Sequence, residues 1–197
     1  NSEGLGLDAL GVACDERGAI LVDPHMRTSR PGIYAAGDVT GRHMFVYMAA
    51  HGGRIAALNA LEGDRHQYDD RAVPSVVFSD PQVASVGLTE AEAVAAGLEV
   101  RTSVLPLDQV PRALAARDTR GLAKLVAERE SGRLLGVHIL APEGADSIET
   151  GVLALRQGLT ASELGATIFP YLTTVEALKL AAQTFEKDVA SLSCCAG

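Results

Sequence analysis

Hydrophobic and polar positions change texture near residue 68. Before it, apolar runs are short, and Ala19-Ile20-Leu21-Val22 and Gly32-Ile33-Tyr34-Ala35-Ala36 predict two extended segments. Asp23-Pro24 and the turn-like Thr28-Ser29-Arg30-Pro31 separate them. From about Met44 to Leu61 an alanine-rich pattern predicts a helix interrupted only at Gly52-Gly53. The stretch from Glu62 to Arg71 is polar and reads as a connector, which divides the chain into residues 1–68 and 69–197.

Beyond the connector, short strands alternate with helices. Ser75 to Phe78 and Val83 to Val86 read as strands, and Leu122 to Glu128 with Leu134 to Leu140 flank Ser131-Gly132 as a hairpin. Thr89-Glu90-Ala91-Glu92, Thr160-Ala161-Ser162-Glu163 and Thr173-Thr174-Val175-Glu176 each have the capping-box spacing, in which a hydroxyl and a carboxylate satisfy orphan backbone donors at a helix start. A helix from about Glu143 to Gln157 lines one face with Ile148, Val152, Leu155 and Leu159, and a last helix is expected to bury Val175, Leu178, Ala182 and Phe185. Strands and helices together predict an α+β second domain with an antiparallel sheet. No internal repeat is visible.

Composition narrows the function classes. The 197 residues carry a formal net charge of -8 and are 47% hydrophobic, without a basic block to grip phosphate backbones. Nucleic acid and membrane surfaces are therefore excluded as expected partners. The first residues do not resemble a signal peptide, no apolar run has the length of a membrane span, and the three cysteines form no disulfide framework. A cytoplasmic setting is expected. The five histidines lack the spacing of a zinc site on a helix, and no nucleophile elbow or P-loop occurs.

Two places carry candidate chemistry. Cys194 and Cys195 are adjacent, and a disulfide between neighbours closes a strained ring, so the pair makes a poor staple. As thiolates they form a soft, sulfur-only ligand set, suited to a two-coordinate thiophilic ion such as Hg(II). The plainer reading is a pair of idle thiols. Cys14 stands apart and reads as a small buried hydrophobe. The second place is Ile33-Tyr34-Ala35-Ala36-Gly37-Asp38, an extended segment ending in a glycine and a carboxylate before a helix. Glycine permits close backbone approach to a ligand, the carboxylate can accept hydrogen bonds from hydroxyls, and a helix N-terminus favours negative charge. Strand-Gly-Asp-helix is also an ordinary turn.

Read as Thr-Ser-Arg-Pro-Gly-Ile-Tyr-Ala-Ala-Gly-Asp, residues Thr28 to Asp38 resemble the second flavin fingerprint of the pyridine nucleotide-disulfide oxidoreductases. The resemblance implies that residues 1–68 are the C-terminal part of an FAD-binding α/β domain and residues 69–197 a dimerisation domain. It implies that Asp38, beside Gly37, holds the ribityl chain of FAD, and that Val46 presents a main-chain N–H to the pyrimidine edge of the flavin. Disulfide-reducing members carry His-Pro-Thr-x-x-Glu, whose His–Glu pair shuttles protons for a thiol substrate. Here the run is Tyr171-Leu172-Thr173-Thr174-Val175-Glu176. A phenol titrates about three units above an imidazole, so Tyr171 is a poor thiol base and a good polar contact.

The run from Phe169 to Phe185 and the end Leu192-Ser193-Cys194-Cys195-Ala196-Gly197 resemble the Hg(II)-reducing members of that family, as do Val110 to Leu114 and Asp118 to Gly121. The resemblance implies a homodimer using FAD and NADPH, with Hg(II) as substrate, Tyr171 and Glu176 as catalytic-site residues, and Cys194 and Cys195 as metal ligands. The family's first dinucleotide fingerprint, its inner cysteine pair and its nicotinamide domain have no counterpart in this sequence. The chain therefore reads as a C-terminal portion that does not turn over alone. Two other readings stay open: a dimerisation module that binds a soft metal without redox work, and a flavin reductase acting on a small disulfide, as dihydrolipoamide dehydrogenase does.

Overall fold

The computed structural model describes residues 2–189; Cys194 and Cys195 lie outside the described residues. The chain divides into two compact units, one ending at Asp70 and the other beginning at Arg71.

In the first unit a short helix α1 (Leu7–Leu10) is followed by loop backbone, a 3-10 turn over Asp38–Thr40, and the long helix α2 (Val46–Glu62). The two extended segments expected from the sequence do not become strands. They form only isolated antiparallel bridges, Cys14 with Ile20 and Arg27 with Tyr34, because each folds back on its own neighbouring loop and gains no further ladder partner among the described residues. Cys14 is half-buried and not a core residue.

Helix α2 runs through Gly52-Gly53 without a break, which differs from the interruption expected there. Glycine costs about 1 kcal/mol relative to alanine in a helix. At Gly52 the cost is offset by packing: a Cβ there would lie 3.3 Å from Ala36 Cβ and 3.4 Å from the Tyr68 ring. The polar connector is fastened to the same helix by Asn59, which is 1% exposed. Its amide donates to the carbonyls of His25 (2.9 Å) and His66 (2.8 Å), and its oxygen accepts the His66 N–H at 2.9 Å. One buried side chain thus bonds three backbone groups, of which the His66 carbonyl also has the His25 ring Nδ1 at 3.0 Å.

The second unit is α+β. Strands β1 (Ser75–Val77), β2 (Gln82–Gly87), β3 (Val100–Pro106), β4 (Leu122–Glu128) and β5 (Leu134–Ala141) form one antiparallel sheet in the order β1-β2-β5-β4-β3. The register aligns Val86, Val137, Leu125 and Ser103 across four strands, and Ala84, Ile139, Ala123 and Leu105 one pleat further on. All eight are buried and share one face of the sheet. Against that face pack α5 (Gly144–Gln157) and α7 (Glu176–Gln183), with α6 (Ala161–Ala166) beside α7. Gly151 lets α5 approach closely, since a Cβ there would meet the Val137 side chain at 3.0 Å.

Two smaller helices, α3 (Glu90–Ala95) and α4 (Pro111–Ala116), complete the order. Capping boxes form at Thr89 and Thr160 as the spacing predicts, starting α3 and α6. Among the described residues no helix is long and apolar enough to cross a membrane.

Candidate functional site

The Gly-Asp turn is built by backbone. Ala35 N–H donates to Met26 O at 3.1 Å, so the segment enters in register with the preceding loop. Gly37 then takes φ 79°, a left-handed conformation, and a Cβ at this position would lie 3.2 Å from Ala49 Cβ of α2. Only glycine meets both demands without strain. The Gly37 carbonyl accepts from the Thr40 N–H (2.9 Å) and hydroxyl (2.8 Å), and the Asp38 carbonyl accepts from the Gly41 N–H at 2.9 Å. The main chain of Asp38 is thereby fixed while its carboxylate stays exposed. It lines a cavity of about 270 Å³ together with Asp15, Arg17, Val39, Gly41 and Met44.

Four residues after Gly41, Phe45 caps α2 through its carbonyl, which accepts from Met48 (3.0 Å) and Ala49 (2.9 Å). No side chain caps this end. Val46, the first helical residue, is 84% exposed, and its N–H is one of the first-turn donors that an α-helix leaves without an intrahelical acceptor. Phe45 and Tyr47 stack their rings at 5.2 Å over this end. Gly37, Asp38 and Val46 therefore offer close backbone approach, an exposed carboxylate and a main-chain donor. That set suits a cofactor with a hydroxylated chain and an acceptor-rich ring edge.

In the second unit, the segment from Phe169 to Glu176 precedes α7. The expected capping box does not form: α7 starts at Glu176 itself, with Val175 at its N-cap and no side-chain cap. Leu172 adopts φ 65°, which turns the chain, and the Thr173 hydroxyl donates to Pro170 O at 2.9 Å instead of capping the helix. Glu176 is 1% exposed and accepts the Leu172 N–H on Oε2 at 3.2 Å. Its carboxylate closes the turn from below.

Tyr171 lies at the surface, 58% exposed, and no hydrogen bond joins it to Glu176 among the described residues. The two sit at opposite ends of one turn, the phenol facing outward and the carboxylate inward. Such an arrangement supplies an exposed polar aromatic beside a rigid loop. It does not supply a relay in which a base is backed by a carboxylate.

Two contacts at these segments escape the sequence. Thr174 donates its hydroxyl to Glu143 Oε2 at 3.1 Å, tying the loop before α7 to the loop before α5, where Glu143 has φ 59°. Asp70, which the connector's polarity marks only as solvated, takes Arg42 and His43 onto one oxygen. Neither partner is near in sequence, and long-range pairs of this kind leave no local pattern.

The family model described as the pyridine nucleotide-disulphide oxidoreductase dimerisation domain matches residues 73–182, and a second model, pyridine nucleotide-disulphide oxidoreductase, matches residues 1–53. The mercuric reductase of Shigella flexneri is 55% identical over 197 residues, covering the whole chain and 35% of that protein. The mercuric reductase of Streptomyces lividans is 53% identical over 196 residues, with 41% of that protein covered. The chain thus spans between a third and a half of the length of these relatives. Among solved structures, the HOCl-induced flavoprotein disulfide reductase RclA from Escherichia coli superposes with a TM-score of 0.84 at 32% identity, over 95% of this chain and 43% of that one.

Proposed function

We propose that this chain, which belongs to the pyridine nucleotide-disulphide oxidoreductase family, serves as part of a homodimeric, cytoplasmic mercuric reductase that uses NADPH and FAD to reduce Hg(II) to Hg(0). The structural observation that carries this reading is the separation of Tyr171 from Glu176. A disulfide substrate needs protons delivered to its leaving thiolate, and here an outward phenol stands where a base would be required while the carboxylate is spent on the Leu172 N–H. Reduction of Hg(II) needs two electrons and no proton on the metal. The loss of the relay is compatible with a metal substrate and unfavourable for a disulfide.

When bound, FAD supplies transfer of an electron pair from NADPH. The residues here fit such a group: the left-handed Gly37 clears the backbone, Asp38 is free to accept hydrogen bonds from ribityl hydroxyls, and the Val46 N–H can donate to the pyrimidine edge. Cys194 and Cys195 act as a dithiolate ligand for Hg(II), so that one sulfur can release the ion while its neighbour still holds it. Tyr171 provides a polar aromatic contact to the incoming complex in a pocket shared with the partner subunit. Thiols freed from Hg(II) take their protons from solvent.

The test is NADPH oxidation by the flavoprotein that contains this chain, with Hg(II) thiolate or a small disulfide as the acceptor. Hg(II) should drive turnover and the disulfide should not; the reverse result would refute the assignment. Replacing both Cys194 and Cys195 by alanine should slow turnover of strongly thiol-liganded Hg(II), and unchanged turnover would remove the tail from the pathway.

A further inference from the structure

We propose that Asp70 is a positioning residue for the flavin edge, acting through the Arg42–His43 turn that sets the N-terminus of α2. This inference rests on the flavin reading of Val46 given above.

The residues between the Gly-Asp turn and α2 have few fastenings of their own. Arg42 N–H reaches the Thr40 hydroxyl at 3.4 Å, and His43 adopts φ 40°, a conformation that non-glycine residues rarely take. Phe45 N–H then bonds the His43 carbonyl at 2.6 Å, a tight turn that delivers Phe45 and Val46 to the helix start. Met44 and Val46 are 64% and 84% exposed, so side-chain packing does little to hold this segment.

A carboxylate from the far end of the connector holds it instead. Asp70 Oδ2 accepts from Arg42 Nη2 at 2.6 Å and lies 3.3 Å from His43 Nε2. The Arg42 guanidinium in turn sits over the Tyr68 ring, 5.1 Å from its centroid, and Tyr68 is 7% exposed and anchored by its N–H to Pro24 O at 2.7 Å. The Arg42 end of the Asp70 clamp is therefore rooted in packed structure. Its two contacts grip consecutive residues, which fixes both the direction and the strained conformation of the turn. Removing the carboxylate frees His43 to relax out of the left-handed region, and the first-turn N–H groups of α2 follow. A charge-assisted bond to a planar guanidinium has the directionality this role requires.

The experiment compares Asp70→Asn with Asp64→Asn in the flavoprotein that contains this chain. Asp64 accepts from Arg27 (2.8 Å) and Tyr34 (3.1 Å) in the same unit without touching residues 42–46. Asp70→Asn should raise the dissociation constant for FAD about five- to tenfold, the range of one ordinary net hydrogen bond lost at the flavin edge, and move the flavin midpoint potential to a more negative value. It should do so with little change in the thermal midpoint of the apoprotein, because both side chains of the pair are about one-third exposed. Asp64→Asn should leave affinity and potential unchanged. Wild-type affinity and potential in Asp70→Asn overturn the proposal, as does an equal effect from Asp64→Asn, which would mark a general loss of stability. A wild-type protein that holds no flavin would overturn the flavin reading as well.

Discussion

The carboxylate of Glu176 accepts the N–H of Leu172, four residues earlier, so the acid at the head of α7 ties down the turn that displays Tyr171. A glutamate placed by its spacing to cap a helix has become the buried floor of a loop. Glu176→Ala should leave that N–H without its partner and open a space in a site that is 1% exposed. The expected loss is about 1–3 kcal/mol in stability, read from denaturant unfolding. Glu176→Gln keeps an acceptor oxygen and should lose less; equal losses would show that charge and not the hydrogen bond matters.

Asn59 is the corresponding tie in the first unit. Replacing it by leucine, similar in size, removes one acceptor and two donated bonds while keeping the volume. The His66 N–H and the His25 carbonyl lose their partner together, while the His66 carbonyl keeps the His25 ring Nδ1 at 3.0 Å, and a destabilisation of about 2–3 kcal/mol is expected. Hydrogen exchange at the His66 amide should accelerate with it, since that N–H is held by the Asn59 oxygen.

Gly121 is irreplaceable on steric grounds. Its φ is 126° and a Cβ would lie 1.8 Å from the Leu140 carbonyl oxygen, a backbone atom of the central strand pair. Gly121→Ala should separate β4 from β5 at this end and cost at least about 3 kcal/mol. Gly97→Ala, also at positive φ but with nothing within 4 Å, should cost only the backbone term of about 1 kcal/mol. Thermal midpoints of the two variants separate the contributions.

Acid should weaken the Asp118–Arg120 contact. Hydrogen bonds from the Arg120 side chain, then from its backbone N–H, hold the Asp118 carboxyl down to about 2, below the ordinary 3.8. A carboxyl depressed in the folded state contributes stability that is present above the unfolded value and lost as pH falls through the folded one. The window is therefore from about pH 4 to about pH 2. Asp118→Asn should flatten the fall of the thermal midpoint in that window by slightly lowering the value at pH 7 while leaving the value near pH 2 unchanged; added salt should shrink the difference between the two proteins at pH 7.

Legibility in the sequence followed the range of the interaction. The capping boxes at Thr89 and Thr160 involve groups three residues apart, and the hairpin of β4 and β5 joins strands that are consecutive in the chain. Thr173 has the same spacing to Glu176, yet the left-handed Leu172 and the Pro170 carbonyl compete for the same groups and win. Strand β3 is hidden because a polar residue occupies its inward face: Ser103 is 5% exposed and donates to Ala181 O at 2.6 Å, a partner supplied by α7 that no alternation rule anticipates. At the candidate site, the residue types of Gly37, Asp38 and Tyr171 were readable. The clamp from Asp70 and the inward course of Glu176 were not, because each depends on backbone geometry brought together over distance.

The strand order β1-β2-β5-β4-β3 carries a consequence for biosynthesis. β2 sits between β1 and β5, so its inner edge stays unpaired until residues 134–141 have left the ribosome. Until then the β1–β2 hairpin presents an open edge and exposed Phe78 beside it. A nascent chain arrested before residue 134 should therefore be prone to stick to its neighbours through that edge.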